Sequence, residues 1–204
     1  DGHGRVAQQP LGRKMRIARG IVRARRANLR EKVAFVTAAG GLLVTPVHRL
    51  PEGQPGDAAD HLGVAPGAKD GGIVDVVSLG GAGETRPLLL ATSQGRVKRV
   101  DLSTLGPGWT PGFRLEEDDR VVACCLAGDG DVAVLVSSSG QAIAFEAGQV
   151  RVTGLAAGGV AGMRLGENEQ VVAGGRLEGQ HLMVVTARGH MKRVTLRGWR
   201  SQNR

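Results

Sequence analysis

Nine cations in this 204-residue chain have the type and spacing to hold a polyanion. Arg96, Lys98 and Arg99 crowd one short apolar stretch, and Lys192 and Arg193 occupy the matching place in another. Arg13, Lys14, Arg16 and Arg19 form a basic run near the start. Guanidinium and ammonium groups repeated along a surface can follow the phosphates of a nucleic acid. The charge is also unevenly placed. Residues 1–50 contain 11 Lys/Arg and 2 Asp/Glu, a net of +9, whereas residues 51–204 contain 16 and 17, a net of −1. A polyanion is the natural partner of the first stretch, and nucleic acid is the foremost one.

Other chemistries find little support. His3, His48, His61, His181 and His190 are scattered without ligand spacing. Asp129-Gly130-Asp131 reads as a hairpin turn, because the downstream Glu of a calcium loop is missing. Ser137–Ser139 lacks the Gly-x-Ser-x-Gly setting of a nucleophile, and no Gly-rich loop ends in Gly-Lys-Ser/Thr. The adjacent Cys124 and Cys125 suit neither a relaxed disulfide nor a metal, so they are expected to be small buried strand residues. No apolar run approaches bilayer length, and Asp1-Gly2-His3-Gly4 does not open a signal peptide. The expectation is a soluble, cytoplasmic chain without membrane contact.

The elements that must position these cations repeat along the chain. An apolar run, Thr or Ser, two small or polar residues, Gly and a second run recur around Gly40, Gly95, Gly140 and Gly189, at separations of 55, 45 and 49 residues. Asp1–Val6 resembles a fifth copy without its first strand. Each copy reads as a β-hairpin whose Gly takes positive φ. Between hairpins, an acidic or Gly-containing turn precedes a short aliphatic strand at Ile73-Val74, Val121-Val122 and Val171-Val172. The common period of about fifty residues, with 33 Gly and 2% aromatic residues, predicts an all-β, propeller-like architecture of about four and a half blades. The approximate repeats are 1–32, 33–87, 88–131, 132–181 and 182–204 within one domain spanning 1–204. Arg13–Lys32, broken by Gly20, reads as part strand and part loop. Trp109 and Trp199 read as blade-packing residues.

The hairpins Ala91-Thr92-Ser93-Gln94-Gly95-Arg96-Val97-Lys98-Arg99-Val100 and Val185-Thr186-Ala187-Arg188-Gly189-His190-Met191-Lys192-Arg193-Val194 resemble those of a known family. It comprises the C-terminal domains of bacterial type IIA topoisomerase A subunits, shared by DNA gyrase and topoisomerase IV. Thr37–Gly40 through Pro51, and Ser139–Leu165, resemble further blades of that family. The resemblance implies a β-pinwheel, a disc whose blades exchange strands and whose basic rim bends and wraps duplex DNA. It also implies partners beyond the chain, namely an ATPase B subunit together with the rest of the A subunit. ATP and Mg are expected there, and no cofactor here. With no Tyr in the sequence, this chain cannot supply the family's phosphotyrosyl nucleophile.

One departure is the stretch Pro10–Gly20, which is basic but lacks the Gly-Gly core of the gyrase box. It points toward topoisomerase IV or a degenerate gyrase paralogue. The cations are unequally shared, since the hairpins at Gly40 and Gly140 carry Leu43-Val44 and Ile143-Ala144 where the others carry the cationic pair. Lys98 and Arg99 leave a strand on opposite faces, which would make one of each pair structural. The competing reading is a protein-binding propeller of the kelch, WD-repeat or chromosome-condensation-regulator type. Its Trp-Asp or Gly-Gly blade signatures do not recur. A propeller hydrolase is a third reading, disfavoured because the acidic residues cluster in turns.

Overall fold

Four Thr/Ser-x-x-Gly units close four hairpins, and in each the Gly lies in the left-handed region, with φ of 80° at Gly40, 79° at Gly95, 84° at Gly140 and 80° at Gly189. In the computed structural model, which describes residues 23–52, 72–80, 84–186, 188–197 and 199, the local reason is visible at the second turn. Gly95 N–H donates to Thr92 O at 3.0 Å, and Arg96 N–H donates to Thr92 Oγ1 at 3.2 Å. The Thr hydroxyl thus takes the amide that the Gly bulge releases from the ladder, which is why Thr or Ser stands three residues before the Gly.

With strands numbered in chain order, the hairpins pair β1 (Lys32–Thr37) with β2 (Gly41–Pro46), and β4 (Leu88–Thr92) with β5 (Arg96–Val100). The others pair β8 (Val132–Ser137) with β9 (Ala142–Glu146), and β12 (His181–Val185) with β13 (Met191–Thr195). The aliphatic strands between hairpins are β3 (Ile73–Ser78), β7 (Val121–Leu126) and β11 (Val171–Arg176). They pair antiparallel with β1, β4 and β8, the first strand of each hairpin.

Two short strands cross between units. β6 (Thr110–Pro111) follows the second hairpin but pairs with β2 of the first, and β10 (Val160–Ala161) follows the third hairpin but pairs with β5 of the second. The sheets therefore read β3-β1-β2-β6, β10-β5-β4-β7, β11-β8-β9 and β12-β13. Each crossing strap locks on the turn it reaches. Gly112 N–H donates to Gly40 O, and Gly162 N–H donates to Gly95 O, both at 2.8 Å. The two straps, Thr110-Pro111-Gly112-Phe113-Arg114-Leu115 and Val160-Ala161-Gly162-Met163-Arg164-Leu165, lie fifty residues apart and do the same job.

The core fills the gaps between sheets. Leu89, Ala91 and Val97 of the second sheet pack with Ala133, Leu135 and Phe145 of the third. Val36 and Leu42 of the first pack with Leu88, Leu90 and Val121 of the second, and Phe113 of the strap closes that layer. Trp109 packs against the Val33, Phe35 and Leu43 cluster, as expected of a packing residue. The fourth hairpin is open by contrast: Met183 and Met191 are 69% and 71% exposed, whereas their repeat equivalents Leu89 and Val97 are buried.

The fold departs from the sequence reading at one turn. The Asp129–Asp131 turn, closed by Asp131 N–H on Gly128 O, joins two sheets and is not a hairpin, because β7 and β8 pair with other strands. In the basic stretch Arg13–Lys32, residues 23–31 form turn and irregular structure and β1 opens at Lys32, while residues 13–22 lie outside the described residues. The incomplete first copy at Asp1–Val6 lies outside the described residues.

Cys124 is buried in β7 and Cys125 half-buried, both as free thiols. Burial pushes the Cys124 thiol up and that of Cys125 up to about 12. Both should resist a thiol-selective disulfide reagent at neutral pH in the native domain and react fully in urea; fast native labelling would contradict this packing.

Candidate nucleic-acid interface

Strand β5 carries three of the expected cations, and the fold spends all three on itself. Lys98 is 1% exposed, with its Nζ donating to Gly112 O at 2.8 Å, Leu155 O at 2.8 Å and Ala157 O at 2.9 Å. Its ammonium also stands 5.7 Å from the centre of the Phe113 ring. Gly112 belongs to the strap on the first sheet, and Leu155 and Ala157 to the segment leading into β10. One ammonium thus ties together segments serving two sheets. Desolvation pulls the Lys98 pKa down to about 8.

Arg99, 3% exposed, is held on the opposite face. Its Nε donates to Val150 O at 2.6 Å, one terminal nitrogen to Ala127 O at 3.3 Å, and the other to Asp129 Oδ1 at 2.6 Å. Arg96 is half-buried and donates to Gly158 O at 2.9 Å and Gly159 O at 3.0 Å. The expectation that Lys98 and Arg99 contact phosphate is therefore corrected. Their head groups are buried and saturated by main-chain carbonyls and one carboxylate, because the next unit folds over this strand. Arg96 keeps partial exposure while clamping β10.

Lys192 and Arg193, at the same positions of the fourth hairpin, are exposed. No described strand besides β12 pairs with β13. Arg13, Lys14, Arg16 and Arg19 lie outside the described residues.

Cations that the motif did not single out occupy the surface instead. Arg30, Lys32, His48 and Arg49 are exposed and converge at one end of the first sheet. Lys32 pairs across from Pro46, and Val47 N–H donates to Glu31 O at 2.9 Å, which brings the two chain segments together. The intervening Glu31 is engaged by Asn28 and Ser78, which hold its carboxyl below the usual range. Nearby, Arg25 and Arg23 reach Asp75 on β3 at 3.0 and 3.6 Å and anchor the basic segment to the sheet.

On the straps, Arg114 and Arg164 are both exposed and recur at the fifty-residue period, a signal present in the sequence. The opposite character marks the turn side. Asp119 accepts from Ser93 Oγ and Gln94 N, and Glu169 accepts from Gly166 N and from Ser139 Oγ. The Ser137 and Ser139 hydroxyls, with the Gly166 amide, hold Glu169 down to about 2. Exposed Glu116, Glu117, Asp118 and Glu167 flank them. The turn side repels polyanions, so the basic end of the first sheet is the candidate interface.

Three- and four-stranded antiparallel units that trade short strands with their neighbours define a propeller-like disc of the pinwheel class. Residues 86–124 and 131–176 match the family described as DNA gyrase C-terminal domain, beta-propeller. The DNA gyrase A subunit of Deinococcus deserti is 28% identical over 98% of this chain, which spans 26% of that protein. The crystal structure of the C-terminal domain of DNA topoisomerase IV superposes with a TM-score of 0.74 at 25% identity, over 87% of this chain and 57% of that one. The DNA gyrase A C-terminal domain shares the fold, with a TM-score of 0.75 at 19% identity over 87% and 59%. The chain thus has the β-pinwheel fold of the C-terminal domains of bacterial type IIA topoisomerase A subunits and shares their sequence pattern over its second and third units. It spans about a quarter of the length of the curated relatives it matches. Among the described residues, no helix is long and apolar enough to cross a membrane.

Proposed function

We infer that this domain binds and bends duplex DNA and presents it to the strand-passage core of a gyrase or topoisomerase IV. The observation that carries this reading is the concentration of +9 in residues 1–50, whose described part meets Arg49 at the exposed end of the first sheet. Arg30, Lys32 and Arg49 are the phosphate contacts there, Lys192 and Arg193 form a second patch, and Arg13, Lys14, Arg16 and Arg19 are further proposed contacts from the basic run of the sequence. Among the described residues no helix is placed to read base edges, so affinity comes from phosphate neutralisation and selectivity from DNA deformability.

The proposed partners are the rest of the A subunit plus an ATPase B subunit, and the chromosome is the proposed place of action. Strand cleavage and ATP hydrolysis belong to those other parts. The protein-binding propeller of kelch, WD-repeat or chromosome-condensation-regulator type gains no supporting observation.

Binding to a duplex longer than about a hundred base pairs should weaken linearly in log affinity against log salt. Lys192→Glu with Arg193→Glu should lower the magnitude of that slope by about 2, if each makes one phosphate contact. Ligation of nicked circles on the domain should shift the linking number. An unaltered slope in the double variant would remove the second patch, and no duplex binding at low salt would overturn the function.

A further inference from the structure

Lys98 is a buried cation without a counter-ion. Among the described residues it makes no ion pair, and its three acceptors are neutral carbonyls. Beside it lies a cavity of about 300 Å³, ten times the roughly 30 Å³ that a water occupies in the liquid. Lys98, Gln149, Arg151, Thr153, Gly158 and Gly159 line it, and no carboxylate does. Arg151 is exposed and makes no hydrogen bond or ion pair to a described residue. Thr153 has a buried hydroxyl with no partner, although its N–H is satisfied by Arg99 O at 3.0 Å.

The rim is cationic as well. Arg96 clamps the carbonyls of Gly158 and Gly159, and Arg114 Nε lies 4.0 Å from where a Cβ on Gly158 would stand. A cavity edged by three arginines, free of carboxylates and backed by a buried ammonium that has no counter-ion suits an anion that accepts hydrogen bonds.

We propose that this cavity between β5 and the 149–160 segment is a seat for a phosphate group, with Arg151 as its direct donor and Lys98 as its buried counter-charge. The group is either one phosphodiester of a bound duplex, which rests on the DNA reading above, or free inorganic phosphate, which does not.

Amide resonances of the isotopically labelled chain, followed while inorganic phosphate replaces chloride at constant ionic strength, test the seat. Shifts should centre on residues 149–160 and saturate near about 1 mM. Arg151→Gln should weaken phosphate about tenfold. Arg151 is exposed, so this variant should keep the thermal stability of the parent, which controls for folding. If DNA supplies the phosphate, a saturating duplex abolishes the phosphate-dependent shifts and Arg151→Gln weakens the duplex. If duplex binds without displacing phosphate, the free anion is the ligand and the seat stands. If no duplex binds while phosphate still saturates, the DNA reading fails and the seat survives. Shifts equal in chloride, or indifferent to Arg151→Gln, overturn the seat.

Discussion

Lys98→Met should lower the unfolding free energy by about 2–4 kcal/mol, read as a fall in the urea midpoint at unchanged m-value. Methionine keeps the stem's packing against the second sheet, so the loss isolates the ammonium. Three carbonyls, of Gly112, Leu155 and Ala157, lose their donor, and two of them lie where water can partly reach. That access keeps the expected figure below the sum of three fully buried losses. A surface phosphate contact would behave in the opposite way, with stability kept and DNA affinity reduced.

The same residue gives a pH signature. Burial lowers its pKa from 10.5 to about 8 in the folded domain, so between those values the unfolded chain binds the proton that the folded chain has released. Stability contributed by this group therefore rises as pH climbs from about 8 to 10.5 and is flat below. Lys98→Met should flatten that rise; a rise of equal size in the variant would assign it to other groups.

Gly95→Ala should cost about as much, near 2–4 kcal/mol, whereas Gly140→Ala should cost only about 1 kcal/mol. Both positions have positive φ, 79° and 84°, so each substitution carries the left-handed penalty. They differ in what a Cβ would meet. At Gly95 it would stand 2.6 Å from Met163 O, a main-chain atom of the strap that reaches this turn, so the strap must shift. At Gly140 nothing lies within 4 Å. The difference between the two variants, taken from thermal or urea unfolding, measures what strand exchange adds to the second turn. Equal costs would mean that the strap is not pressed on Gly95.

Much of the fold is legible in the chain because turns and strands are local matters. Thr92-Ser93-Gln94-Gly95 encodes its own bulged turn through one hydroxyl and one residue free to take positive φ, and the repeat of that unit counts the hairpins. The aliphatic pairs at 73–74, 121–122 and 171–172 mark the strand added to the hairpin in each of the first three sheets, for the same reason. The fifty-residue period even carries the strap, since Gly112-Phe113-Arg114-Leu115 and Gly162-Met163-Arg164-Leu165 differ in one residue.

The site was much less legible. In the one-dimensional pattern Arg96-Val97-Lys98-Arg99 and His190-Met191-Lys192-Arg193 look alike, yet Lys98 and Arg99 are buried and Arg96 half-buried, whereas the second set is exposed. Spacing fixes which face of a strand a cation leaves from, but not what lies opposite that face. That is decided by segments fifty or more residues away, whose carbonyls at Val150, Leu155 and Ala157 come to β5 only when the next unit folds over it. The sequence by itself thus determined the repeat, the turns, the all-β class and the excess of positive charge at one end, because each rests on neighbours in the chain. Only the tertiary structure decided which cations act as internal latches and which remain for a polyanion, because burial is a property of strands brought together across blades.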